Sequence, residues 1–340
     1  MSGTRVLQPV VWAVICLVSV PAFGQDPAAT AVRFMTPEVD AAVTRGLTYL
    51  ETHQNRDGSF GSGDMRGNVA VTALAGIAFM AEGSQPNRGR YGTVVDRALG
   101  YLLANVQSSG YIAHGPEDQM YGHGFATMFL AECYGTSQRP DLREKLSRAV
   151  RLIVNTQNSE GGWRYQPQRL GADISVTICQ VMALRAAKNA GIHVPRETVE
   201  RCIEYVRKCQ NPDGGFRYML TSGDSAFARS AAGVTALYSA GVYEGEELEA
   251  GLRYLMQFVP QPGEVARESY FYYGHYYCVQ AMWQAGGSRW TAYYPAIRDE
   301  LLARQLPDGS WSSPFSPEYG TAMACIILQV PNNCLPIFER

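Results

Sequence analysis

Apolar and polar positions along the chain sort into two kinds of helical segment that take turns. In the segment that closes on Gln210, Val199, Ile203 and Val206 share one face while Glu200, Glu204, Arg207 and Lys208 hold the other. A stripe of that width marks a helix lying on a core with its back to solvent. GLTYLETHQ, RALGYLLANVQ, RAVRLIVNTQ, GLRYLMQ and IRDELLARQ follow the same plan, and each also ends on a Gln. Helix-entry signals precede four of them: Thr36-Pro37, Thr93 with Asp96, Asp141 with Glu144, and Pro195 with Glu197. The second kind of segment is shown by AVTALAGIAFMA, Ala70 to Ala81, which holds no charge. A helix apolar on every side is buried on every side.

The alternation has a fixed period. QNRDGSF from Gln54, QNSEGGW from Gln157, QNPDGGF from Gln210 and QLPDGSW from Gln305 are copies of one turn, with degenerate copies at Gln107 and Gln257. The intervals are 53, 50, 53, 47 and 48 residues, so six periods account for residues 37–330. Gly58, Gly161, Gly214 and Gly309 permit the reversal, and Phe60, Trp163, Phe216 and Trp311 plug it against the core. The Gln amide is suited to helix-end backbone groups that lack intrahelical partners. Each charge-free helix must pack against an amphipathic helix on one side and against its own kind on the other. Six such pairs predict a closed all-α toroid, (α/α)6, with the charge-free helices inside.

Before this unit, residues 1–24 have the form of a secretory signal: Arg5 is the only charge, Val10 to Val20 is apolar, and Pro21-Ala22-Phe23-Gly24 offers small residues for cleavage. The run is short of the roughly 20 residues of a membrane span. Export is expected, with a linker over 25–36 and a proline-bearing tail over 331–340. Among 340 residues, 29 are Lys or Arg and 31 Asp or Glu, with no basic run, which speaks against general nucleic-acid binding. Of eight cysteines, Cys133, Cys179, Cys278 and Cys325 sit inside apolar helical patterns, as small core residues do.

The repeated Gln to Gly-x-aromatic pattern resembles the QW motif of squalene and hopene cyclases, whose toroid is shared with protein prenyltransferase β-subunits. The resemblance covers nearly the whole chain after the signal and implies the terpenoid cyclase/prenyltransferase fold. Cyclases of this kind protonate an alkene with a DxDD segment opening an inner helix. The counterpart here is ADISVT, with Asp173 in the first position, Ser175 in the central, proton-delivering one and Val176 in the fourth. The prenyltransferases hold zinc with an Asp, a Cys and a His, and YYGHYYCVQAM is similar to their His-bearing segment, His275 matching that His. The Asp-x-Cys partner has no match in SGDSAFARSAAG, so neither a metal nor a cofactor is expected.

Parallel inner helices gather their starts at one mouth, and Asp64, Asp118, Asp173, Asp224, Glu268 and Glu318 lie 10 to 16 residues after their Gln anchors. A ring of carboxylates is the expectation. It serves either as helix caps or as acid and base, with Asp173 the first candidate for catalysis. Tyr121-Gly122-His123 and Tyr273-Gly274-His275 open opposed inner helices, which predicts two histidines facing each other across the cavity. His275 is the second catalytic candidate. His123, Tyr121, Tyr273, Tyr276, Glu318 and Asp224 are candidates for ligand binding, with Phe125 and Phe129 opposite the tyrosines. Packing explains this aromatic set as well as a ligand lining does. The leading reading is an exported protein that binds a hydrophobic or extended ligand at an acidic, aromatic mouth. A divergent terpenoid cyclase using a rim carboxylate, a carbohydrate-active toroid with two rim carboxylates, and a protein-docking module remain as alternatives.

Overall fold

The computed structural model describes residues 33–115, 118–221, 223–261 and 270–339, and among these the chain forms twelve α-helices and no strand. The amphipathic helices are α1 (Pro37–Thr52), α3 (Gly92–Ala104), α5 (Leu142–Thr156), α7 (Arg196–Lys208), α9 (Glu246–Leu255) and α11 (Gly287–Arg304). Alternating with them are α2 (Val69–Ala81), α4 (Met120–Tyr134), α6 (Ile174–Asn189), α8 (Phe227–Ser239), α10 (Phe271–Ala285) and α12 (Pro317–Gln329). The second set forms a ring in chain order, each member packed on the next, and α12 packs back on α2 to close it. The architecture is therefore the all-α toroid of six helical hairpins.

Burial separates the two sets as their composition requires. Every residue of α2 except Ala70 is buried, whereas α7 buries only Thr198, Cys202, Tyr205 and Val206. The buried stripe of α7 is rotated by one position from the expected one, leaving Val199 and Ile203 half-buried. Tyr205 and Cys202 are the bulky and the soft filler on the inward side, and the branched residues flank them.

The Gln anchors tie one repeat to the next. Gln157 Nε2 donates to the Gly161 carbonyl at 2.8 Å and to the Thr198 carbonyl, in the first turn of α7, at 2.9 Å. Gln54 and Gln210 do the same with Val94 and Glu247, and Gln305 reaches Ala42 of α1 at 2.8 Å, joining the last repeat to the first. Gly161 has φ +100°, and a Cβ there would stand 2.2 Å from the Arg201 carbonyl, so the turn sits directly on the next outer helix. The aromatic plug is held at both ends of its polar reach. Trp163 donates its backbone N–H to Thr177 Oγ1 at 3.1 Å and its indole N–H to the Ile153 carbonyl at 2.8 Å.

Both ends of the described stretch join the core. Phe34, inside the segment expected to be a linker, is buried edge-on against Trp290 and Tyr294. Leu335, Ile337 and Phe338, inside the expected tail, are buried at the mouth where the inner helices end. No helix among the described residues is long and apolar enough to cross a membrane. The signal-like stretch, with Arg5 and Cys16, lies outside the described residues. The seven described cysteines are all free.

Candidate functional site

The starts of the inner helices meet at one mouth of the barrel. The Tyr273 hydroxyl, at the start of α10, donates to the Ser175 carbonyl, at the start of α6, at 2.7 Å. Tyr121, opening α4, meets Tyr273 edge-on with ring centroids 6.3 Å apart. Below them the barrel axis is filled: Phe125 and Tyr276 touch across it at 5.9 Å, Tyr276 and Tyr277 are fully buried, and the Tyr277 hydroxyl lies 3.2 Å from Cys179 Sγ. Packing thus accounts for Phe125 and Tyr276, and the exposed edges of Tyr121 and Tyr273 are what the mouth presents.

Asp173 is the most deeply buried carboxyl of this mouth. It precedes α6 in extended conformation and its Oδ1 accepts the Val176 N–H at 2.8 Å, the geometry of an N-cap. Oδ2 is buried without a well-formed hydrogen bond, the Tyr218 hydroxyl standing near the carboxyl. Burial pushes the Asp173 pKa up to about 6, against the opposite pull of the Val176 N–H, the Tyr218 hydroxyl and the Arg164 charge.

Among the described residues the expected ring of carboxylates does not form. Asp64 and Asp224 are exposed, and Asp224 contributes only its backbone carbonyl, to Arg229. Asp118 folds back on its own loop, accepting the N–H groups of His114 and Gly115 at 2.7 and 3.1 Å. Glu318 is buried in the first turn of α12 and accepts from Ser62 Oγ at 3.0 Å. Glu268 lies outside the described residues. The inner helices that begin at Asn68 and Ser316 are capped by those amide and hydroxyl side chains instead, so acids were not needed for that purpose.

The histidines do not face each other. Two residues along a helix is about 200° of rotation, so with Tyr121 and Tyr273 turned to the axis, His123 and His275 turn to the outer layer. His123 Nδ1 accepts the Ile112 N–H at 3.2 Å and its Nε2 lies 3.2 Å from the Ala149 carbonyl on α5. His275 Nδ1 lies 2.7 Å from the Tyr293 hydroxyl on α11, its ring is packed between Phe227 and Phe271, and Nε2 has no partner. Burial lowers the pKa of His123 to about 4 and, helped by Arg304, that of His275 to about 3. Both are neutral structural groups, far from the role of base at the mouth. Among the described residues no cluster of His, Cys, Asp and Glu could hold a metal ion.

Two mouth residues were not singled out from the sequence. Tyr165 and Tyr218 hydrogen-bond each other through their hydroxyls, and their backbone carbonyls accept the first N–H groups of α4 and α6, from Met120 and Ile174. Their signal is the repeated GGWRY and GGFRY, in which Tyr follows the plug aromatic by two residues.

A family model described as the squalene-hopene cyclase C-terminal domain matches residues 124–275. The chain is 27% identical over 181 residues to a drimenyl diphosphate synthase of Streptantibioticus cattleyicolor, covering 52% of this chain and 32% of that one. It is 25% identical over 228 residues to a drimenyl diphosphate synthase of Streptomyces showdoensis, covering 66% and 41%. The matched stretch therefore spans about two-fifths or less of these relatives' length. Among solved structures, a variant of the type II terpene cyclase MstE from Scytonema, in complex with merosterolic acid A, superposes with TM-score 0.64 at 14% identity, over 89% of this chain and 99% of that one. An inactive α-1,6-mannanase variant of Salegentibacter superposes equally, TM-score 0.64, at 8% identity over 87% and 99%. The chain is thus similar over residues 124–275 to the squalene-hopene cyclase C-terminal domain, and it has the α/α toroid fold that the terpene cyclase and the mannanase share. The mannanase shares the fold, which by itself carries no chemistry.

In ADISVT, the segment that resembles the cyclases' DxDD motif, the central position is Ser175, whose side chain is an alcohol and whose carbonyl accepts from Tyr273. Asp173 is retained, with one oxygen committed to the helix start. A groove of about 200 Å³ lies away from this mouth, at the other end of α6 and α8, beside Arg185 and Tyr243.

Proposed function

We propose that the chain is an exported, non-cyclising relative of the terpene cyclases that holds a hydrophobic or extended ligand across the tyrosine mouth of its barrel. The observation that carries this reading is the edge-on pair of Tyr121 and Tyr273 above a filled axis. An apolar chain laid on this mouth meets aromatic faces and edges, together with one buried carboxyl. At the cyclases' proton-donor position it meets the alcohol of Ser175, too weak an acid to protonate an isolated alkene. Two features of relatives support a prenyl-type ligand: the curated relatives are drimenyl diphosphate synthases, and MstE has been captured with geranylgeranyl dihydroxybenzoate. Export rests on the pattern of residues 1–24.

The test is retention. The protein is incubated with linear isoprenoid alcohols and diphosphates and examined by native mass spectrometry. At least one is expected to stay bound, and Tyr121→Ala to weaken it about tenfold, the scale of one aromatic contact. If none is retained, the reading is wrong.

One observation favours a second reading, a divergent cyclase in which Asp173 is the acid: its carboxyl is fully buried with one oxygen lacking a well-formed hydrogen bond, and burial raises its pKa. In that case Asp173→Asn abolishes conversion of a bound isoprenoid and leaves its retention intact.

A further inference from the structure

Two cations stand together at the far end of one inner helix. α6 carries Arg185 and Lys188, both in its last turns, whereas α2 and α10 carry no Asp, Glu, Lys or Arg at all. With Val181 and Leu184 the two form a single stripe at spacing i, i+3, i+4, i+7, apolar toward the middle of the helix and cationic toward its end. This stripe faces the groove of about 200 Å³, whose other walls are α7 with the segment leading into it and the turn over residues 239–243 that follows α8. Cys202 is buried in the floor, and Val194 and Val199 are half-buried beside it.

The charge of the groove is one-sided. No acid lines it. Arg185 donates to carbonyls, that of Tyr238 at 3.1 Å and that of Glu339 at 3.4 Å, and among the described residues neither Arg185 nor Lys188 is paired with a carboxylate. The Tyr238 carbonyl, at the end of α8, is also taken by the Gly241 N–H at 3.0 Å, so cations and not bare carbonyls are what this helix end shows. Tyr243 completes the wall and is 57% exposed. The other large apolar side chains that stand this open among the described residues, Leu170, Tyr270, Leu306 and Phe315, all lie in connections leading to inner-helix starts, away from this end. A lysine in the last turn complements the α6 dipole, but the dipole asks for neither an apolar floor nor an open tyrosine next to it.

We propose that this groove is a second ligand site, separate from the tyrosine mouth, and that it takes a short unbranched chain with an anionic head. The chain lies on Val181, Leu184 and Val199 under the Tyr243 ring, and the head sits between Lys188 and Arg185. The volume is below the roughly 300–1,000 Å³ of sites that enclose drug-sized molecules, which limits the occupant to one slender chain.

The test uses the full chain labelled with nitrogen-15. It is titrated with sodium octanoate, with 1-octanol and with sodium acetate, and amide chemical shifts are followed. Octanoate is expected to bind saturably, with the shifts gathered at Lys188, Asn189 and Gly241. Octanol, which lacks the charge, and acetate, which lacks the chain, are each expected to bind about tenfold more weakly or worse. Lys188→Gln, an exposed change that the fold tolerates, is expected to weaken octanoate about tenfold and to leave octanol unchanged, a split that a lysine serving only the helix would not produce. Octanoate that fails to saturate, that binds no tighter than octanol, or that shifts the amides of Tyr121 and Tyr273 instead overturns the proposal. Isoprenoid retention at the tyrosine mouth is read at different amides, so each site stands or falls by itself.

Discussion

The hydroxyl of Tyr273 is bonded to the carbonyl of Ser175 at 2.7 Å, which ties the start of one inner helix to the start of the inner helix two places away around the ring. The position in ADISVT that resembles the central one of the cyclases' DxDD motif is thereby pinned by a neighbour and offers only an alcohol. Tyr273→Phe removes this bond and leaves the ring in place. The expected cost is about 1 kcal/mol, the net value of a single hydrogen bond, read from the shift in a denaturant midpoint.

Asp173 makes stability depend on pH in an unusual direction for a carboxylate. Its folded pKa, about 6, stands above its unfolded value of 3.8 because burial disfavours the charged form. Stability is therefore full below about pH 4 and declines as pH rises through 6, by about 3 kcal/mol in all. Asp173→Asn keeps a capping side chain and removes the titration. The variant is expected to equal the parent at pH 4 and exceed it at pH 7.5, as measured by thermal melts at the two values.

His123 works in the opposite sense. Burial depresses its pKa from 6.5 to about 4, so its contribution is present above pH 6.5 and is lost as pH falls toward 4, about 3 kcal/mol in total. Its ring resonances should show no titration between pH 8 and roughly 5. An ordinary midpoint near 6.5 would mean that the ring is not held between Ile112 and Ala149.

Gln305 closes the circle by bonding the carbonyls of Gly309 and Ala42. Gln305→Ala is expected to cost about 1–3 kcal/mol, the scale for leaving partly buried carbonyls unpaired. The loss should be uneven, with amides of α1 exchanging faster while those of α6 are little changed. Uniform acceleration would argue against a local seam.

Much of the fold was legible because it rests on local rules repeated six times. In each clear copy the Gln anchor bonds the equivalent pair of carbonyls, the glycine makes the same turn and the aromatic plugs it, so spacing alone revealed the ring. The mouth was less legible. Its acids looked equivalent by position, yet Asn68 and Ser316 do the capping at two starts, and Asp118 is drawn into its own loop by two N–H groups. The Tyr-Gly-His pairs showed that repeats two and five are alike but not which residue faces the axis. That is decided by a rotation of the helix set by what the outer layer offers: the Ala149 carbonyl for His123 and the Tyr293 hydroxyl for His275. Tyr165 and Tyr218 were visible in GGWRY and GGFRY, but their partnership arises only when neighbouring repeats are stacked.

The claim that the tyrosine mouth binds without cyclising is tested most directly by product analysis. A linear isoprenoid that the protein retains is incubated with the parent chain and with Asp173→Asn, and the extracts are compared by gas chromatography and mass spectrometry. The account predicts the unchanged linear compound from both. A cyclised product from the parent that disappears in Asp173→Asn would contradict it.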